Sequence, residues 1–222
     1  MFNQRRIRGG WTAFIVVAVL LMINCGGGGG GGGGDNGTPV TYSISGAVTS
    51  NGVALPGVTV SLTGAASMST TTDGSGNYQF TRLSSGNYTV TPSIAGYGFT
   101  PTNLQETISA SDITGVSFDA TPNTAWAWGQ GTIGQLGDGQ GMDSPLPVQV
   151  SDLSHVIAIA AGNYYSLALR SDGTVWGWGQ GTSGQLGNGG TTNSNTPVQV
   201  PGLNNINKIA AGQSHTVAVK SP

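Results

Sequence analysis

An all-β fold, in which a β-sandwich precedes two blades of an incomplete β-propeller, is what this 222-residue sequence predicts. Across residues 40–120 apolar and polar side chains alternate, and clusters of Gly, Asn, Asp and Pro separate the alternating runs. Beyond them one stretch is written twice: TAWAWGQGTIGQLG at 124–137 returns as TVWGWGQGTSGQLG at 174–187. PVQV at 147–150 and IAAG at 159–162 also return fifty positions on, and the ungapped alignment of 124–170 with 174–220 holds 23 identities in 47 positions. Period two with β-branched and aromatic residues marks strands with one buried face. A fixed period of this length marks stacked supersecondary units.

Ahead of both folded parts, residues 1–10 are short and basic, with Arg5, Arg6 and Arg8, and Trp11 to Ile23 form an apolar run of thirteen. That pattern is the n-region and h-region of an export signal and is shorter than the ~20 residues a membrane-spanning helix needs. Leu21-Met22-Ile23-Asn24-Cys25 follows, then nine glycines from Gly26 to Gly34. The arrangement resembles a bacterial lipoprotein signal, with Asn24 standing where such signals usually carry Gly, Ala or Ser. The resemblance implies a signal peptide over residues 1–24, acylation of Cys25 and a membrane contact through that lipid. An uncleaved N-terminal anchor is the alternative for the same residues. Cys25 is the single cysteine, so no disulfide can form within the chain. Residues 25–39 read as anchor and tether, because a glycine run holds no single backbone conformation. Its flexible part of about 14 residues reaches roughly 20 Å.

Charged residues make up only 7% of the chain, so the polar surface must be built from Ser, Thr, Asn, Gln and backbone. From Cys25 onward Arg82, Arg170, Lys208 and Lys220 stand against nine acids, a formal charge of −5. No Lys/Arg cluster lies there, which argues against nucleic acid as a partner. The expected location is the cell envelope, on the outer membrane or cell surface.

Residues 40–120 alternate at Val40, Tyr42 and Ile44; Val58, Val60 and Leu62; Tyr78 and Phe80; Tyr88 and Val90; Val116 and Phe118. Turn signals at Ser50-Asn51-Gly52, Pro56-Gly57, Asp73 to Asn77 and Ser85-Gly86-Asn87 cut them into about seven short strands, which suits a sandwich. ISGAVTSNGVALPGVTVSLTG followed by TTDGSGNYQFTRLSSGNYTVTPS resembles the carboxypeptidase-regulatory-like (transthyretin-like) family. That resemblance implies an Ig-like sandwich serving as stalk, spacer or sugar-binding module without catalysis. Asp73-Gly74-Ser75-Gly76-Asn77 alternates oxygen side chains as a calcium loop does, but Tyr78 and Ser84 stand where the glycine and bidentate acid belong. A hairpin turn is the expectation.

Residues 121–222 hold the two copies, 124–170 and 174–220, and each reads as four short strands, the content of one propeller blade. In the second copy these fall at Thr174–Trp178, Pro197–Val200, Ile206–Ala210 and His215–Val219. The TAWAWGQGTIGQLG and TVWGWGQGTSGQLG segments resemble the regulator-of-chromosome-condensation repeat, which implies blades of a seven-bladed type that act by protein contact. Trp126 with Trp128 and Trp176 with Trp178 are expected to pack between blades, the alternative being an aromatic platform for sugar. Gly129 to Gly134 and Gly179 to Gly184 fit G-x-G-x-x-G, but turn residues follow in place of the helix that dinucleotide binding needs, so no cofactor is expected. His155 and His215 face Asn205 and Tyr165 across the repeat; Asp138 and Asp143 face Asn188 and Asn193. Such exchange argues for turns rather than a metal site, and no catalytic set is expected.

The function expected is therefore a non-enzymatic, membrane-anchored lipoprotein presenting a protein-interaction module on a sandwich spacer; the alternative is a carbohydrate-binding or carbohydrate-processing surface protein. Two blades are fewer than the four to eight that close a ring. The first copy runs on through Ser171-Asp172-Gly173, while the second meets Pro222 after Ser221, so a truncated or frameshifted product is expected. Its flanks should expose Trp and Ile-Ala-Ala surfaces. Self-association or a partner chain would then complete the propeller.

Overall fold

The computed structural model describes residues 39–222, so Cys25, the signal residues and the glycine run lie outside the described residues. Every regular element described is a strand, and no helix among the described residues is long and apolar enough to cross a membrane.

Nine strands form the sandwich: β1 (Tyr42–Ser50), β2 (Val53–Ala54), β3 (Thr59–Gly64), β4 (Met68–Thr71), β5 (Asn77–Leu83), β6 (Gly86–Ser93), β7 (Tyr97–Thr100), β8 (Leu104–Ile108) and β9 (Phe118–Pro122). One sheet runs β4-β3-β6-β8, antiparallel throughout. The other runs β2-β1-β9-β7, with β5 paired to β1 and the β1–β9 contact parallel. Their inward side chains are the alternating residues: Ile44, Val58, Val60, Leu62, Tyr78, Phe80, Tyr88, Val90, Val116 and Phe118 share one buried cluster. Val40 lies ahead of β1 and is exposed, because no sheet reaches back to cover it.

Polar groups inside this core are satisfied. The Thr72 hydroxyl donates to Leu55 O at 2.8 Å and accepts from Val58 N at 3.0 Å, which ties the start of β3 to the β4–β5 connection. Tyr78 Oη donates to Val116 O, and burial, with the Glu106 carboxylate adding to it, pushes its phenol well above the ordinary value. At Asp73 the carboxylate accepts from Ser75 N and Asn77 N at 2.8 and 2.9 Å. The stretch is a turn leading into β5, as the sequence predicts, but not the expected hairpin: β4 and β5, which it joins, lie in different sheets.

Eight further strands follow: β10 (Thr124–Gly129), β11 (Ser144–Ser154), β12 (Val156–Ala161), β13 (Tyr165–Arg170), β14 (Val175–Gly179), β15 (Ser194–Gln199), β16 (Ile206–Ala211) and β17 (Thr216–Lys220). Each copy does contain four strands, but the copies are not the sheets. Hydrogen bonding joins β10 to β11, then β12-β13-β14-β15, then β16 to β17. The complete four-stranded sheet takes two strands from each copy, and a half-sheet flanks it on either side. The expectation of one blade per copy is corrected accordingly. The cause is local: Ser171-Asp172-Gly173-Thr174 closes a tight hairpin between β13 and β14, with Gly173 N bonding Arg170 O at 2.9 Å. Asp-Gly chemistry of this kind locks adjacent strands together wherever the copy boundary falls.

Candidate functional site

The faces between these three sheets hold the chemistry of the repeat. On β14, Trp178 is 2% exposed and packs with Ala125, Val150, Leu153, Val156 and Ala168. Its indole Nε1 donates to Gln135 O at 2.9 Å, and the same carbonyl accepts from Ser166 Oγ at 3.0 Å. Gly137 completes the slot. Its φ of +71° favours glycine, and a methyl group there would lie 2.7 Å from the Trp178 nitrogen. Trp176, two residues back, is half-buried, donates to Thr174 Oγ1 at 3.1 Å and lies 5.9 Å from the Arg170 guanidinium carbon. Arg170 in turn bonds Ser154 O at 2.9 Å and Asp172 at 3.3 Å. Burial opposes the charge on Asp172, but bonds from the Thr174 hydroxyl and amide, with Arg170, outweigh it and hold the carboxyl below its ordinary value.

Fifty positions earlier the same side chains stand open. Trp128 is 64% exposed and Trp126 is exposed beside it, because among the described residues β10 pairs with β11 alone and no loop covers that face. Packing between blades, expected for both tryptophan pairs, therefore holds for β14 and fails for β10. Behind β10 lies an open cleft of about 360 Å³, lined by Trp126, Trp128, Ile159, Tyr165 and Trp178 among others. At the opposite flank the second copy offers an empty equivalent of the Gln135 slot. Gln185 O accepts from Thr216 Oγ1 at 2.8 Å, matching Ser166 on Gln135, and no indole donates to it. Gly187, at φ +67°, has only Val200 near the position a methyl group would take.

The residues with acid, base or ligand chemistry are built into loops. Asp143 Oδ1 accepts from Gly131 N at 2.8 Å, and Asn193 Oδ1 accepts from Gly181 N at 3.0 Å. Asp138 and Asn188 likewise cap Gln140 N and Gly190 N, at 3.0 and 3.1 Å. Asp and Asn perform one task, since only the side-chain oxygen is used. The two G-x-G-x-x-G stretches are paired turns, in which Gly134 N and Gly184 N each bond back three residues at 2.8 Å. Gln135 and Gln185 side chains cap Ile133 N and Ser183 N. Among the described residues no group of three His, Cys, Asp or Glu is placed to hold a metal ion.

The histidines take separate roles. Beside the exposed His215, Tyr165 Oη reaches the carbonyl of His215 in the neighbouring half-sheet. His155 joins the sandwich to the sheets. Its Nε2 lies 3.0 Å from Tyr97 Oη and its Nδ1 3.0 Å from Ser154 Oγ, with the two rings edge to face. Backbone bonds run beside it, from Asn123 N to Gly96 O and from Val156 N to Asn123 O. His155 sits at φ +59° and its counterpart Asn205 at +57°, a left-handed region in which Asn and His are both enriched among non-glycine residues. Sequence reading noted the His155/Asn205 mismatch but missed Tyr97, whose partner lies 58 positions away.

Comparison with protein families assigns both parts. The family model for the carboxypeptidase regulatory-like domain matches residues 43–121. That for the regulator of chromosome condensation (RCC1) repeat matches 123–169 and 172–219, and a second RCC1 model matches 156–185. The chain carries a carboxypeptidase regulatory-like domain followed by RCC1 repeats, both non-catalytic in kind. No match was found among curated proteins. Among solved structures, Prp20p from Saccharomyces cerevisiae, described with its binding to Gsp1p and histones, is similar at 24% identity over 42% of this chain, with a TM-score of 0.38. The chain covers 25% of Prp20p's length. The minor pilin GBS52 of Streptococcus agalactiae is similar at 18% identity, over 37% of this chain and 46% of the pilin, with a TM-score of 0.31. BcpA, the major pilin subunit of Bacillus cereus, is similar at 12% identity, over 62% of this chain and 37% of its own, with a TM-score of 0.33.

Proposed function

We propose that this chain is a non-enzymatic lipoprotein of the cell envelope, in which a β-sandwich spacer holds an RCC1-repeat protein-interaction module away from the membrane. The observation that carries the interaction part is the open flank of β10, where Trp126 and Trp128 are exposed beside an unpaired strand edge. Apolar surface of that kind, next to free backbone donors and acceptors, is where polypeptide partners add. A formal charge of −5 from Cys25 onward disfavours nucleic acid as the occupant. The anchoring part rests on the basic N-terminus, the apolar run of thirteen and Cys25 followed by glycines. Acylation there would hold the chain on the outer membrane or cell surface with roughly 20 Å of tether.

Two measurements test the halves separately. Cys25→Ser should abolish lipid labelling and shift the chain from the membrane to the soluble fraction or an uncleaved precursor; unchanged fractionation and mobility would refute the anchor. A photo-crosslinking amino acid at Trp128 in the otherwise native chain should yield polypeptide adducts in intact cells. Glycan binding without any polypeptide adduct would refute the interaction module and favour a sugar platform on the same tryptophans.

A further inference from the structure

We propose that the β10–β11 half-sheet is completed by the β16–β17 hairpin of a second copy of this chain, so that copies join head to tail through composite four-stranded blades. This deepens the interaction reading above, on which it rests, by naming the partner.

The chain's own complete sheet supplies the template. There β13 and β14 pair antiparallel with Tyr165 opposite Gly179, Ser166 opposite Trp178, Leu167 opposite Gly177, Ala168 opposite Trp176 and Leu169 opposite Val175. The fifty-residue period puts Thr216, Val217, Ala218 and Val219 in the places of Ser166 to Leu169. It puts Trp128, Ala127, Trp126 and Ala125 in the places of Trp178 to Val175. Among the described residues each of these strands has one edge unpaired: β10 bonds only β11, and β17 bonds only β16. The register between copies follows, with Val217 opposite Ala127 of the second copy and Ala218 opposite its Trp126.

Side-chain faces agree with that register. Leu167 is 0% exposed and packs with the half-buried Ile209 of the neighbouring half-sheet, whereas its counterpart Val217 is 56% exposed. Leu169 packs on Ile209 as well, and its counterpart Val219 is exposed. Ile159, the counterpart of Ile209, is also exposed. Val217 and Val219 of one copy, laid over Ile159 of the next, would bury all three at once.

The polar slot agrees independently. Trp128 of the second copy would enter the empty site formed by Gln185 and Gly187, donating to Gln185 O as Trp178 donates to Gln135 O. Thr216 already occupies the position on Gln185 that Ser166 occupies on Gln135. Charge offers no obstacle. The β16–β17 strands carry Lys208 and Lys220, and the β10–β11 strands carry only Asp152. Contacts of this head-to-tail type close into a ring or extend as a filament.

The test uses the full chain in detergent micelles. A Val217→Cys chain and an Ala127→Cys chain, carrying different tags, are co-expressed and oxidised, with wild type controlling for Cys25. A mixed disulfide species bearing both tags is expected, with light scattering giving at least twice the chain mass. Trp128→Lys changes an exposed side chain, so each copy should still unfold cooperatively while association weakens at least about tenfold. A chain that stays monomeric at every concentration and forms no mixed disulfide would overturn the proposal. Photo-adducts from position 128 to a different envelope protein, on a chain that stays monomeric, would also overturn it and leave the interaction module standing.

Discussion

Two tryptophans at equivalent positions of one repeat end in opposite environments. Trp178 is 2% exposed, bonded to Gln135 O and seated on Gly137, while Trp128 is 64% exposed with no such partner. The flanking residues are alike, with Trp-x-Trp-Gly-Gln-Gly in both copies. The difference comes from what stands in front of each strand. Before β14 lies another copy, with its Gln135-Leu136-Gly137 loop; before β10 lies the sandwich, which offers no such loop. A repeat of this kind does not bury its own tryptophan. It buries its neighbour's.

The comparison is broken most sharply by truncating each indole. Trp178→Ala should lower the stability of the sheets by about 3–5 kcal/mol, the range for a large buried aromatic. Trp128→Ala should cost within about 0.5 kcal/mol in the dilute monomer, as exposed substitutions do. Urea unfolding of the two variants, followed by the fluorescence of the remaining tryptophans, checks the asymmetry. Equal losses would mean that Trp128 is covered in solution by something that dilution does not remove.

The glycines under the slots give the next largest contrast. Gly137→Ala and Gly187→Ala share a left-handed backbone at φ +71° and +67°, so each carries strain of about 1–2 kcal/mol. Gly137→Ala alone drives a methyl group against the Trp178 indole, adding about 1–3 kcal/mol of overpacking. Thermal unfolding should rank Gly137→Ala clearly below Gly187→Ala. In the associated chain the gap should narrow, because Gly187 then lies under an indole as well.

Smaller effects come from the junctions at the copy boundaries. Tyr97→Phe removes the hydroxyl that meets His155 and should cost about 1 kcal/mol, while loosening the sandwich from the sheets. Amide-proton chemical shifts around Asn123 and Gly96 would report that loosening. At the closed hairpin, the carboxyl of Asp172 is held below its ordinary value in the folded chain. Its contribution is therefore present above the ordinary carboxylate range of about 4 and is lost as pH falls through the lower, folded value. The group is largely solvated, so Asp172→Ala should cost well under about 1 kcal/mol at neutral pH and progressively less on acidification.

Much of this was legible in the sequence because it is local. Alternation at Val58-Val60-Leu62 and Tyr78-Phe80 gave strands with one buried face, and those residues form the sandwich core. The exchange of Asp138 and Asp143 for Asn188 and Asn193 pointed to turns, and in the structure all four side-chain oxygens accept from loop amides. What escaped was relational. The Asp172-Gly173 hairpin between the copies is readable in the sequence, but not that it groups β12 to β15 into one sheet across the sequence period. The fate of each tryptophan depends on the loop of a preceding unit. The Tyr97–His155 contact joins residues of different domains; its one trace was a histidine where the second copy has the turn-former Asn205.

Hydrogen exchange on the full chain, measured across a concentration series, tests most directly whether neighbours complete this repeat. Amides of β13 and β14, bonded within the complete sheet, should exchange slowly at every concentration. Amides on the free edges of β10 and β17 should exchange fast in dilute solution and slow together as concentration rises. Edges that stay unprotected at high concentration, or that are already as protected as β14 when dilute, would contradict it.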